Sequence, residues 1–442
     1  MNKIVYINKT IEPFDKKINI SGDKSISIRF AILASMANGK SVAKNLLRSE
    51  DVLDTIKCLK NLGISIKFKK NYCEIIGNGL GGYVYKKNLV LNAGNSGTTA
   101  RLLSSCLINS NKTIKITGDN SLKKRDMKRI IEPLQKFGAT FEKNNGKLPL
   151  FIKGSNFLKP INYKELKGSA QCKSAVMLAA LLAPGKTKLK CLPSRNHTEL
   201  LFKYLNIPTK IKKTKNFDFI EVQGKKKYSS FNYDIPGDIS SASFFIVLTL
   251  LSKKSKLKIK NVNINPTRVG IIKILNIMGA KILFLNKKKY KGEINADILI
   301  RSQKNLKAIN VSKKINSTAI DEFLLLFLVA SVSKGISTFH GLEELNNKES
   351  KRLDWGFKIL KMLGVKTKKI PNHGIKIYGN PNLKLNKKYE IKNFLKDHRI
   401  FMLSVIAATT LGGSWKIHNS ESINTSFPIF NSLIKKLGVK LK

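Results

Sequence analysis

Leu59-Lys60-Asn61-Leu62-Gly63-Ile64 is the stretch on which the fold turns. Its pattern, apolar-x-x-apolar-Gly-apolar, returns at 134–139, 275–280, 360–365 and 434–439, and 202–207 carries it with Asn206 in place of glycine. Glycine or asparagine suits the left-handed residue that ends a helix, and the alternation of Ile64, Ile66 and Phe68 that follows suits a strand. Successive copies of Gly63, Gly138, Asn206, Gly279, Gly364 and Gly438 lie 75, 68, 73, 85 and 74 residues apart. A unit of about seventy residues therefore repeats six times.

A second series interleaves with the first. Largely apolar stretches near 27–37, 98–108, 171–183, 241–251, 322–332 and 400–410 read as helices, and helices apolar nearly all round belong in an interior. Each unit reads as strand, buried helix, strands, amphipathic helix and strand. The Pro-Gly turn at Ile235-Pro236-Gly237 falls between the third and fourth units, so three units fall in each half.

Length and composition agree with two such halves. The chain has 442 residues, 42% of them apolar and 25% charged, too long for one ordinary domain. Its net charge of +54 comes from 72 lysines and ten arginines against 28 acidic residues. The lysines are spread along the whole length as a solvated surface, and no arginine-rich block, zinc-finger spacing or aromatic RNP pattern points to nucleic acid. Screening over about 8 Å lets distant lysines steer anions but not select one. Cys58, Cys73, Cys106, Cys172 and Cys191 are isolated, with no C-x-x-C pair, which speaks against a disulfide framework or zinc site and for a reducing cytosol. With no signal-peptide pattern and no apolar run approaching a membrane span, a soluble, unprocessed cytoplasmic protein is expected.

Function is sought where the buried helices begin. There stand Lys24-Ser25-Ile26-Ser27-Ile28-Arg29, Asn95-Ser96-Gly97-Thr98 running into Arg101, Ser169-Ala170-Gln171, Asp238-Ile239-Ser240-Ser241, Asp321-Glu322 and Asp397-His398-Arg399. Plain N-capping accounts for the Ser, Asp and Asn in any one of them. It does not call for Lys24, Arg29, Arg125, Arg352 and Arg399 beside them. Helix N-termini attract anions, Gly97 admits close approach to the backbone, and arginine makes bidentate bonds to carboxylate or phosphate that lysine cannot copy. A site for a small, multiply charged anion is the inference. The segment 341–353 puts Lys348, Glu349 and Arg352 within one expected helical turn, and Asp321 and Glu349 could divide acid and base work.

These residues resemble the 5-enolpyruvylshikimate-3-phosphate (EPSP) synthase family. The resemblance runs nearly end to end, through Lys24-Ser25-x-Ser27-x-x-Arg29, Gly94-Asn95-Ser96-Gly97-Thr98-Thr99-x-Arg101, Gly118-Asp119 with Arg125, Ser169-Ala170-Gln171, Asn265-Pro266-Thr267-Arg268, 345–353 and Asp397-His398-Arg399. It implies an α/β fold, a two-domain inside-out α/β barrel of six βαβαββ repeats, three per domain. The N-terminal domain would be 21–236, on the shikimate 3-phosphate side. The C-terminal domain would be 1–20 with 237–442, and the active site would occupy the interdomain cleft.

The resemblance also implies transfer of the enolpyruvyl group of phosphoenolpyruvate to the 5-hydroxyl of shikimate 3-phosphate, with no metal or organic cofactor. Lys24, Ser25, Arg29, Ser169, Gln171, Ser194, Asp321 and Lys348 would hold shikimate 3-phosphate. Lys24, Gly97, Arg125, Gln171, Arg352 and Arg399 would hold phosphoenolpyruvate. Asp321 would accept the 5-hydroxyl proton, Glu349 would exchange a proton at the methylene carbon, and Lys24 would span both substrates. A monomer, with no membrane or nucleic-acid partner, is expected. Four positions depart from the family pattern: Asp126 and Leu324 where proline is usual, Lys351 where aspartate is usual, and Thr425 where some members have lysine. The related transferase acting on UDP-N-acetylglucosamine has a Lys-Asn pair at the first motif and a reactive loop cysteine. Here Ser25 follows Lys24, and no cysteine lies in a comparable loop.

Overall fold

The computed structural model describes residues 3–142 and 145–442. All six signature positions end helices in the left-handed region. Gly63, Gly138, Asn206, Gly279, Gly364 and Gly438 have φ of 82°, 117°, 54°, 98°, 75° and 106°. They close the helices Glu50–Asn61, Lys128–Phe137, His197–Tyr204, Gly270–Ile277, Arg352–Met362 and Phe430–Lys436. A Cβ there costs conformational energy, which is why glycine and asparagine recur.

The chain divides into two compact units. One is Gly22–Ile235 with Tyr290–Glu293; the other takes the described part of Met1–Ser21, then Pro236–Lys289 and Ile294–Lys442. Residues 1 and 2, included in the expected C-terminal domain, lie outside the described residues.

Within the first unit, the helices Lys24–Met36, Gly97–Ser105 and Ala170–Ala180 fill the interior. Three four-stranded sheets surround them. The second repeat gives the pattern. Strand Val90–Asn92 leads into Gly97–Ser105 and pairs in parallel with Ile114–Thr117, and the hairpin Thr140–Phe141 and Leu150–Lys153 then completes the sheet antiparallel. A parallel pair needs a crossover, and the buried helix supplies it.

The second unit repeats this plan around Ile239–Leu251, Phe323–Ser331 and His398–Leu411, which are buried almost throughout. Its first sheet takes Asp15–Asn19 as the parallel partner of Lys256–Asn263. The corresponding place in the first unit, beside Asn38–Lys44, goes to Asn232–Asp234. Each strand therefore pairs in the unit to which its own following helix does not belong. The last sheet has three strands, with Val5–Ile7 antiparallel to Gly412–Ile417. Lys442 adds backbone hydrogen bonds to Tyr6 at 2.8 and 3.2 Å. No helix among the described residues is long and apolar enough to cross a membrane.

Candidate active site

In the first unit the three interior helices begin with side-chain caps. Asp23 Oδ1 accepts from Ile26 N at 2.9 Å, Ser96 Oγ from Thr99 N at 3.2 Å and Ser169 Oγ from Cys172 N at 3.3 Å. Each cap satisfies one of the free N–H groups of the first turn and leaves others as anion donors. The Ser169 hydroxyl accepts one bond and keeps its own proton to donate.

Around these starts the expected residues fall into linked groups. Lys24 pairs with Asp51 at 3.0 Å. Arg29 is almost wholly buried and reaches Thr198 Oγ1 at 2.9 Å, Ser174 Oγ at 2.8 Å and the Ser25 carbonyl at 3.2 Å. Gln171 accepts from Arg101 at 2.5 Å and donates to Thr98 Oγ1 at 2.9 Å. Arg125 donates to Asn95 Oδ1 at 2.6 Å. Ser194 Oγ is buried and meets no hydrogen-bond partner among the described residues.

Cations crowd here. Burial pulls the Arg101 pKa below the usual arginine value, and the nearby Arg125 and Arg129 push the same way. Like charges held together in a partly desolvated place favour an anion among them. Gly97 lies against this group: a Cβ there would stand 3.0 Å from Arg101 Nη1 and 3.3 Å from Arg125 Nη1.

The second unit gathers carboxylates around one arginine. Arg352 donates to Asp397 Oδ2 from Nε at 2.9 Å, to Asp397 Oδ1 from Nη2 at 3.2 Å, to Glu349 Oε2 from Nη2 at 2.5 Å and to Asp321 Oδ1 from Nη1 at 3.4 Å. Burial works against its charge, but Asp397 and Glu349 outweigh burial and raise its pKa. Asp321 Oδ1 also lies 3.2 Å from Lys348 Nζ. Arg399 donates to the Asp321 carbonyl at 2.8 Å and stands 3.7 Å from Glu322 Oε1, whose other partner is the Ser240 hydroxyl.

One local expectation needs correction. Lys348 and Glu349 do not share a helical turn with Arg352, because the helix begins at Arg352 itself. The side chain of Asn346, in the preceding short helix Glu343–Asn347, accepts from Leu353 N at 2.9 Å and so caps this helix from outside it. Glu349 nonetheless meets Arg352, from the bend at 348–350 that precedes the helix rather than from a helix face.

The four departures have local explanations. Asp126 Oδ1 accepts from Lys128 N at 2.7 Å at the start of Lys128–Phe137. Leu324 is buried in the core of its unit. Lys351 is exposed. Thr425 Oγ1 lies 3.1 Å from His398 Nδ1 and donates to the Ser422 carbonyl at 2.8 Å.

Sequence reasoning gave no role to Asp51, Ser174 and Thr198, which hold Lys24 and Arg29, and it named Asn95 and Asp397 as helix-start residues without their arginine partners. It also passed over Lys173, buried and 2.6 Å from Glu199. A signal for Lys173 was available, since a charge inside an otherwise apolar interior helix has to find a buried partner.

Comparison with known proteins places this arrangement. A structure of the enolpyruvyl transferase NikO from Streptomyces tendae matches with a TM-score of 0.77 over 100% of this chain and 99% of that one, at 12% identity, so the two share a fold. A structure of EPSP synthase from Acinetobacter baumannii matches with a TM-score of 0.86 and 34% identity over 100% of this chain and 99% of that one. The family model described as EPSP synthase (3-phosphoshikimate 1-carboxyvinyltransferase) matches residues 8–434. Proteins named 3-phosphoshikimate 1-carboxyvinyltransferase are similar throughout. That of Ruthia magnifica subsp. Calyptogena magnifica is 40% identical over 96% of this chain and 95% of its own length. That of Petrotoga mobilis is 39% identical over 96% and 98%. The fold class is therefore that of the enolpyruvyl transferases. Within it, the chain belongs to the EPSP synthase family.

Proposed function

We propose a division of labour by which this chain transfers the enolpyruvyl group of phosphoenolpyruvate to the 5-hydroxyl of shikimate 3-phosphate, releasing phosphate. The activity is that of the family; the roles of individual residues are our reading. The observation that carries it is the gathering of Asp321, Glu349 and Asp397 around Arg352, with Lys348 and Arg399 bonded to Asp321. Two carboxylates held by cations are the parts a proton-in, proton-out reaction at two different atoms requires.

Asp321 accepts the 5-hydroxyl proton as that oxygen bonds to C2 of phosphoenolpyruvate. Glu349 gives a proton to the methylene carbon, which becomes a methyl group in a tetrahedral intermediate, and takes a proton back as the bond from C2 to the phosphate oxygen breaks. Lys24 contacts both substrates, and Lys348 contacts shikimate 3-phosphate. Arg29, Ser25, Ser169, Gln171 and Ser194 take the shikimate phosphate. Arg125, Arg399 and the backbone at Gly97 take phosphoenolpyruvate, again with Gln171. Arg352 enters as phosphoenolpyruvate ligand and as the group that orients Glu349 and Asp321, its Nε and Nη2 donors being committed to carboxylates. Cationic donors set in advance stabilise the charge that develops on the intermediate.

The proposal extends to a cytoplasmic monomer. Its five cysteines are all buried free thiols, which suits a reducing compartment.

The test is product analysis by mass spectrometry after incubation in heavy water. The reading expects 5-enolpyruvylshikimate 3-phosphate carrying deuterium at its methylene, and loss of both product and label in Glu349→Gln. Product without label from the unaltered enzyme would contradict the role given to Glu349.

A further inference from the structure

We propose that Lys173 is a positioning residue for the phosphate end of shikimate 3-phosphate, acting through Ser194 and the Arg29 clamp while touching neither substrate. The proposal rests on the reading of Ser194 and Arg29 given above.

Lys173 lies in the interior helix Ala170–Ala180 with its side chain fully shielded from solvent. A lone cation there is costly, so its partners reveal what it holds. Its Nζ pairs with Glu199 Oε1 at 2.6 Å and donates to the Ser194 carbonyl at 3.3 Å. Asp218 and Cys191 also face this charge. The next residue, Ser174, lies 2.7 Å from Thr198 Oγ1, and Arg29 bonds to both hydroxyls. Two consecutive residues of one helix thus grip the segment from Ser194 to Glu199 at both its ends.

An ion pair serving stability alone would account for Glu199. The bond to the Ser194 carbonyl satisfies a second of the three ammonium donors, and it ties this charge to the residue in the segment whose hydroxyl is buried without a partner among the described residues. A buried hydroxyl normally finds a partner, and a phosphate oxygen is one it could serve as donor. Fixing the Ser194 carbonyl fixes where that hydroxyl stands. Fixing Glu199 fixes Thr198 beside it, and through Thr198 the guanidinium of Arg29.

The test changes both members of the pair together, Lys173→Met with Glu199→Gln, so that neither buried charge is left alone, with thermal melting to confirm folding. KM for shikimate 3-phosphate should rise about tenfold or more, as loss of hydrogen bonds to a charged group implies, while KM for phosphoenolpyruvate stays within about twofold. Ser194→Ala alone should also raise KM for shikimate 3-phosphate. Added to the double variant it should raise it no further, since the two changes remove one interaction.

A folded double variant with unchanged KM for shikimate 3-phosphate, or with fully additive effects, overturns the proposal. If it does not fold, Lys173→Gln with Glu199→Gln keeps polar groups at both places and carries the same prediction. Failure of both to fold means a purely structural pair and also overturns it. If Ser194→Ala leaves KM unchanged, the reading of the site fails instead; if Ser194→Ala raises it and the double variant does not, only the role of Lys173 fails.

Discussion

Arg352 and Asp397 meet through two hydrogen bonds, Nε to Oδ2 at 2.9 Å and Nη2 to Oδ1 at 3.2 Å, with both side chains closed off from solvent. Asp397 also accepts from Ser350 Oγ at 2.9 Å and caps its own helix through Arg399 N at 3.0 Å. It is the fixed point from which Arg352 reaches Glu349 and Asp321.

Breaking that pair should cost stability. Asp397→Asn is expected to lower the free energy of unfolding at pH 7 by about 3 kcal/mol, the lower end of what removing one partner of a buried pair costs. Burial works against the Asp397 carboxylate, but the Arg352 charge outweighs it and leaves the pKa below the ordinary 3.8. A folded-state pKa below the unfolded one gives stability that is fully present above the unfolded value and is lost as pH falls through the folded one. Denaturant titrations between pH 7 and pH 2 should therefore show the gap between wild type and Asp397→Asn constant near neutrality and closing only below about pH 4.

The two carboxylates assigned to proton transfer should behave alike, and unlike their neighbour. Glu349→Gln and Asp321→Ala are each expected to cut kcat by about a hundredfold or more. Lys351→Ala, on the same lead-in but exposed, should change it by less than about twofold. Equal losses from all three in steady-state assays would mean the roles are wrongly assigned.

Gly97 is set by space. In Gly97→Ala the new methyl would sit 3.0 Å from Arg101 Nη1 and 3.3 Å from Arg125 Nη1, so a guanidinium must shift. KM for phosphoenolpyruvate should rise about tenfold, with KM for shikimate 3-phosphate little changed. The opposite pattern would put Gly97 beside the other substrate.

Arg29 cannot be replaced by lysine if its fork matters. Arg29→Lys loses the geometry that reaches Thr198 and Ser174 together and should raise KM for shikimate 3-phosphate at least tenfold, on the order of one charge-assisted hydrogen bond. Unchanged KM would make Arg29 a point charge only.

The repeats were legible because a helix end that needs positive φ leaves few choices of residue: Gly63 and Asn206 announce themselves without any tertiary information. The interior helices were legible for the same kind of reason, as a stretch such as 323–331 has no polar face to turn outward. The helix-start motifs located most of the candidate site. What stayed hidden was partnership. Nothing local links Lys24 to Asp51, Arg125 to Asn95 or Arg352 to Asp397, which lie 27, 30 and 45 residues apart. The expected turn from Lys348 to Arg352 failed because spacing alone does not reveal that Asn346 caps the helix from outside.

Release of inorganic phosphate from the purified protein, followed with shikimate 3-phosphate and phosphoenolpyruvate together and with each left out in turn, tests the central claim most directly. The account predicts release only when both are present. Folded protein that releases none from the pair, or that releases it from phosphoenolpyruvate alone at the same rate, would contradict it.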